Sequence, residues 1–270
     1  MYWGPPHLRL FGGPSAYAVA TLAQGPSSSE VLILLLFSFV CLFSFSYFCN
    51  MKKIILMAVV LVMAVGTAAQ ERYQKVIPPR RYEEANKEVK VRPLAVLFGD
   101  SITDAWPIMS PDFFTINNLI GRGISGETTG DMLLRFQKDV VFLKPKYVVI
   151  LAGTNDIAMN AGPISLEHIL DNIISMCQIA RANRILPILC SVLPAYLYSW
   201  RQELTPAEEI VELNEMIRAY AESAGIPYVD YHSQMKDERN GLPENLGPDG
   251  VHPNLEGYRI MEEILIDFLK

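Results

Sequence analysis

The sequence predicts an α/β fold, a three-layer α/β/α sandwich around a parallel sheet of about five strands, and three observations lead there. Short apolar runs alternate with amphipathic stretches, the runs carry almost no charge, and the amphipathic stretches repeat at helical spacing. Strands that are apolar without alternation are covered on both faces, which is the condition of a parallel sheet. Right-handed crossovers then join one strand to the next.

The first run is Leu94-Ala95-Val96-Leu97-Phe98, and the second, Asn118-Leu119-Ile120, is shorter. Tyr147-Val148-Val149-Ile150-Leu151 is the clearest, because it is β-branched and uncharged. Ile185 to Val192 and Ile226-Pro227-Tyr228-Val229 complete the set. Of the helices, one follows Gly162-Pro163 and sets Ile169, Ile173, Met176 and Ala180 on a single face. Thr205-Pro206-Ala207-Glu208 has the form of a capping box with proline at the first helical position. It opens a helix whose inner face carries Ile210, Leu213, Ile217 and Tyr220, and a last helix runs from about Leu255 to Leu269. Residues 70–92 are polar, with Pro78-Pro79-Arg80-Arg81, and read as a lead-in segment. The domain proper is expected over 93–270, with no internal repeat.

The N-terminal part reads differently. Met51-Lys52-Lys53, the apolar stretch Ile54 to Val65 and the small residues Gly66-Thr67-Ala68-Ala69 form a secretory signal over 51–69, with cleavage after Ala69. It is shorter than the roughly 20 apolar residues of a membrane span. A signal of this kind works at an N-terminus. Translation is therefore expected to start at Met51, with residues 1–50 an upstream extension. The alternative is a membrane anchor through Val31–Cys49. The reading places the mature protein outside the cytoplasm, periplasmic or extracellular, with no stable membrane partner once processed. Residues 70–270 hold 20 Lys and Arg against 28 Asp and Glu. That acidic balance, without a basic cluster, argues against nucleic acid as a partner. Cys177 and Cys190 read as buried small hydrophobes, although an oxidising compartment would permit a bridge between them.

In an open parallel sheet ligands bind beyond the carboxyl ends of the strands. The first strand is followed there by Gly99-Asp100-Ser101-Ile102-Thr103-Asp104, and the second by Gly121-Arg122-Gly123-Ile124-Ser125-Gly126-Glu127-Thr128-Thr129. After the third comes Ala152-Gly153-Thr154-Asn155-Asp156, and Asp249-Gly250-Val251-His252-Pro253-Asn254 precedes the last helix. Acyl transfer needs a nucleophile, a base, a group to orient the base, and donors for the oxyanion. Ser101 at a strand-to-helix turn suits the first role, His252 the second, and Asp249 the third. The Ser101 and Gly126 N–H groups and the Asn155 amide suit the oxyanion hole. Asp100, Asp104 and Asp156 read as supports, with Asp104 and Asp156 fixing the loops of Ser101 and Asn155. Trp106, Tyr196 and Trp200 are candidates for the lining, with ordinary packing as the alternative.

These four segments resemble the blocks of the SGNH (GDSL-like) hydrolases, serine esterases and lipases with a flavodoxin-like sandwich, and the resemblance covers 94–266. The family's nucleophile block corresponds to Gly99-Asp100-Ser101, with Ile102 where many members have leucine. Its glycine donor corresponds to Gly126, its asparagine donor to Asn155, and its Asp-x-x-His pair to Asp249 and His252. Gly123 to Asp156 is also similar to the platelet-activating-factor acetylhydrolase branch and its bacterial relatives. The resemblance implies hydrolysis of a carboxylic ester through an acyl-serine intermediate, with no cofactor.

Two other chemistries are rejected on the residues. Gly121-x-Gly123-x-x-Gly126 fits the dinucleotide fingerprint, but it follows the second strand, and the position about 20 residues on, where an acid is required, is Lys146. Asp100, Asp104, Asp249 and His252 lack a coherent metal-ligand spacing. With no obvious insertion to cover a long lipid tail, the expected substrate is a small ester, an acetyl group on a carbohydrate or similar polar alcohol. The alternatives are a lysophospholipase, thioesterase or acetylhydrolase on lipid-like substrates, or a binding module that lost turnover. The sequence assigns no oligomeric state.

Overall fold

In the computed structural model residues 81–270 are described. The extension at 1–50, the export signal at 51–69 and the first part of the lead-in lie outside the described residues.

Five parallel strands carry the fold: β1 (Ala95–Gly99), β2 (Leu119–Gly123), β3 (Tyr147–Leu151), β4 (Leu186–Cys190) and β5 (Tyr228–Val229). Their order is β2-β1-β3-β4-β5, the flavodoxin-like arrangement. Gly99 pairs with Gly123 on one side and with Leu151 on the other, so three strands end level. Alternate residues of each strand face opposite layers. Val96, Phe98, Val148 and Ile150 enter one core, and Ala95, Leu97, Val149 and Leu151 enter the other.

The first core is closed by α4 (Thr129–Asp139), α6 (Leu166–Ala182) and α7 (Ala207–Ala224). The second is closed by α2 (Ser101–Met109), α3 (Pro111–Ile116), α8 (Tyr231–Met235) and α9 (Leu255–Leu265). Ile169, Ile173, Met176 and Ala180 are buried on α6, as their spacing requires. A short α5 (Thr154–Ile157) follows β3. Side chains begin most of these helices: Asp100 caps α2, Ser165 caps α6, Asp230 caps α8 and Asn254 caps α9. Cys177 and Cys190 are both buried and free, and they lie in opposite cores.

Three expectations are corrected. The lead-in contains a helix, α1 (Glu83–Glu88), and it is part of the packed structure. Buried Asn86 gives its amide to Asp139 and to the Lys138 carbonyl and accepts from Arg122, while the Tyr82 hydroxyl donates to the Gly123 carbonyl. Those contacts are made far along the chain, so a local reading of polar residues misses them. The capping box at Thr205 does not form, since no side chain caps α7 and Pro206 itself sits at the cap. A full capping box stands instead at Thr128 and Asp131, opening α4. The last helix ends at Leu265 and tightens into a 3₁₀ turn over Ile266–Leu269.

Candidate active site

The rim where β1 and β3 part company is the switch point of the sheet, and both flanking turns point chemistry into it. Ser101 is the first residue of α2, directly after the Asp100 cap, so helix geometry leaves its N–H without an intrahelical partner. The turn can be this tight because Gly123 lies beneath it. A Cβ on Gly123 would stand 2.1 Å from the Asp104 nitrogen and 2.6 Å from the Asp100 oxygen. Any side chain there would push the start of α2 off the sheet.

The hydroxyl of Ser101 lies 2.8 Å from His252 Nε2. On the other side of the ring, Nδ1 lies 2.6 Å from Asp249 Oδ2. The Asp249 Oδ1 accepts the backbone N–H groups of Val251 and His252, which folds the loop back so that the imidazole meets the same carboxylate. Burial pushes the Asp249 carboxyl up, but the His252 backbone, the His252 ring and the Val251 N–H outweigh it and hold the group below its ordinary value. An ionised Asp249 on Nδ1 fixes the tautomer in which Nε2 can accept a proton.

Asn155 is the second residue of α5 and is 4% exposed. Its Nδ2 donates to the Glu127 carbonyl at 3.0 Å, and its Oδ1 accepts from Asn160 Nδ2 at 2.7 Å. The bond to Glu127 brings the asparagine to the residue that follows Gly126. Gly126 has φ +82°, and a Cβ there would meet open space, so backbone conformation rather than crowding selects glycine.

Of the supporting aspartates, Asp156 accepts from the Thr129 N–H and hydroxyl, tying the Asn155 turn to the start of α4. Asp100 caps the Ser101 helix through the Ile102 N–H. Burial raises both carboxyls to about 6. Asp104 differs from expectation: it accepts from Ser125 and from both terminal nitrogens of Arg81, so the loop it fixes is that of Gly126. Trp106 is not lining. It is 1% exposed, stacked on Phe113 and Tyr258, and its indole N–H donates to Glu262. Trp200 is 43% exposed with its ring 6.4 Å from the His252 ring, and Tyr196 is exposed beneath the Arg239 guanidinium.

Several side chains that shape the site escape the sequence reading. Arg135, 1% exposed on α4, donates to Glu127, Asp139, the Arg122 carbonyl and the Gly99 carbonyl, and lies over Phe98. One cation thereby ties the end of β1, the end of β2 and the Glu127 turn. Burial drives the Glu127 carboxyl up against the pull of Arg135, and its Oε1 has no partner among the described residues. The available clue was an Arg–Asp pair at i, i+4 on the same face as Met132 and Phe136, since charges seldom sit on an apolar stripe without a buried task. Tyr198 and Asn160 carried no such clue. Among the described residues no group of three His, Cys, Asp or Glu side chains is arranged to hold a metal ion.

Comparison with known proteins places these loops in a family. A GDSL-like lipase from Bacteroides thetaiotaomicron superimposes with a TM-score of 0.68 at 43% identity, covering 70% of this chain and 96% of that one. An uncharacterized lipoprotein of Bacillus subtilis is 27% identical over 176 residues, 56% of this chain and 72% of its own. An acetylxylan esterase of Geobacillus stearothermophilus is 24% identical over 152 residues, 53% of this chain and 68% of its own. The model of the GDSL-like lipase/acylhydrolase family matches residues 97–260, which contain all four loops. The chain therefore belongs to the GDSL-like lipase/acylhydrolase family and is a hydrolase.

Proposed function

We propose that this hydrolase cleaves carboxylic esters through an acyl-Ser101 intermediate, and that its substrates are acetyl esters of carbohydrates or similarly polar alcohols. The observation that carries the mechanism is the unbroken chain from Ser101 Oγ through the His252 ring to Asp249, at 2.8 and 2.6 Å. Ser101 attacks the ester carbonyl carbon while His252 Nε2 takes its proton. The tetrahedral oxyanion is received by the Ser101 and Gly126 N–H groups and by the Asn155 Nδ2 hydrogen not given to Glu127. Collapse breaks the ester bond, and the imidazolium returns its proton to the departing alcohol. Water, deprotonated by the same nitrogen, then attacks the acyl carbon, and release of the carboxylic acid restores the Ser101 hydroxyl.

The substrate class rests on relatives named acetylxylan esterase and isoamyl acetate-hydrolyzing esterase, all of which cleave acetyl esters by name. The signal read at 51–69 supports a location outside the cytoplasm; N-terminal sequencing of the exported protein tests it, with Gln70 the expected first residue. For the chemistry, a fluorophosphonate probe should label the protein and fail on Ser101→Ala. For the substrate, acetate release from acetylated xylo-oligosaccharides should exceed fatty-acid release from lysophosphatidylcholine. The reverse preference would overturn the acetyl reading.

A further inference from the structure

We propose that Trp200 is a positioning residue for the reaction, acting through Asn160 to fix which way the Asn155 amide faces. This rests on the reading of Asn155 as an oxyanion donor. A side-chain amide is nearly symmetric in shape, with an acceptor oxygen on one side and a donor nitrogen on the other, so its neighbours decide its orientation. Only one orientation of Asn155 serves an oxyanion. Turned over, it would aim a carbonyl oxygen at the developing negative charge.

Asn155 is the middle of a relay whose two ends are unambiguous. At one end the Glu127 backbone carbonyl can only accept, and it takes one hydrogen of Asn155 Nδ2. The Asn155 oxygen then accepts from Asn160 Nδ2. Asn160 is itself an amide, and turned over it would present an oxygen to the Asn155 oxygen. The Trp200 indole prevents this, because Nε1–H can only donate, and it donates to Asn160 Oδ1 at 3.3 Å. Donor-only at one end and acceptor-only at the other, the chain Trp200–Asn160–Asn155–Glu127 runs in a single direction. That direction leaves the second Asn155 Nδ2 hydrogen free for the oxyanion.

The backbone around the relay is braced from the same loop. The Tyr198 hydroxyl bonds the Thr154 carbonyl and side chain, immediately before Asn155, and Arg201 donates to the Met159 carbonyl, immediately before Asn160. Trp200 stacks on Tyr198 with centroids 5.0 Å apart, so the indole is held from behind. The turn from Tyr198 to Arg201 is thus a brace laid across the Asn155 turn.

The test is a double-mutant cycle read on p-nitrophenyl acetate, with Trp200→Phe retaining an aromatic ring for Tyr198 while removing the N–H along with part of the indole. Asn155→Ala should lower kcat by about 10²- to 10³-fold. Trp200→Phe should lower kcat about 10-fold with KM and the melting temperature little changed, as removal of a group that orients a reacting group does. Asn160→Leu should behave likewise. In the Asn155→Ala background, Trp200→Phe should cost nothing further, because the amide it orients is gone. An equal loss in both backgrounds, an unchanged kcat, or a raised KM with kcat intact would overturn the proposal. A wild-type kcat in Asn155→Ala would instead overturn the oxyanion reading beneath it.

Discussion

The strand-end side of the site and the loop that closes it differ in burial and in the reach of their hydrogen bonds. Asp100, Asn155 and Asp156 are 1%, 4% and 1% exposed, whereas the side chains of His252 and Asp249 are 37% and 46% exposed. Beside its local bonds, the buried side is tied by bonds between residues 27, 28 and 36 positions apart, at Asp156–Thr129, Asn155–Glu127 and Arg135–Gly99. Asp249 and His252 are three apart. One side is therefore built by the tertiary fold, and the other by a local turn that delivers an imidazole to it. Damage to the first should be felt in stability, and damage to the second in turnover alone.

The sharpest separation is expected at Asp249→Asn. The amide oxygen can still accept from Val251 and His252, so the loop stays folded, but the ring loses the carboxylate that sets its tautomer. kcat should fall by about 10⁴-fold with the melting temperature nearly unchanged; a large drop in Tm would show that the loop is as load-sharing as the buried side. Next is Arg135→Met, which strands Glu127 and Asp139 without their cation. Breaking a buried pair costs about 3–5 kcal/mol, which lowers Tm by roughly 10 °C in a domain of this size. Calorimetry that found no change would erase the distinction between the two sides.

The smallest effect is one of pH. Asp100 and Asp156 titrate at about 6 when folded, above their ordinary 3.8. The folded state thus binds more protons than the unfolded chain between those values, and stability falls as pH rises through that window. Glu127 is shifted in the same direction. Asp249, held below its ordinary value, adds stability that is present above that value and lost as acid protonates the folded group. The melting temperature should therefore be a few degrees higher at pH 5 than at pH 7.5. A melting curve that shifts the other way would mean the buried carboxylates are fully compensated.

The same division explains what could be read from the letters. Tyr147–Leu151 was legible to the residue because an uncharged β-branched run has one use in a parallel sheet. The fifth strand shrank from Ile226–Val229 to Tyr228–Val229, as Pro227 has no N–H to give a ladder. That Ser101, Asp249 and His252 meet was legible because each stands in a short block at a loop whose place the strand pattern fixes. Asn86 and the Asp104–Ser125 bond were not, because their partners lie 21 or more positions away, and the pair Arg135 makes with Asp139 four residues on gives no sign of its reach to the Gly99 carbonyl 36 positions away. Trp106 misled for a related reason: an aromatic one turn into the Ser101 helix sits on whichever face the core claims, and Glu262 lies 156 positions on.

The two described tryptophans occupy opposite surroundings, one sealed beside Phe113 and Tyr258 and the other wet beside His252. Their fluorescence should resolve into a blue component from the interior and a red component that iodide can quench. The chain thus carries an optical reporter on its own rim, sensitive to whatever settles against the imidazole and needing no attached dye.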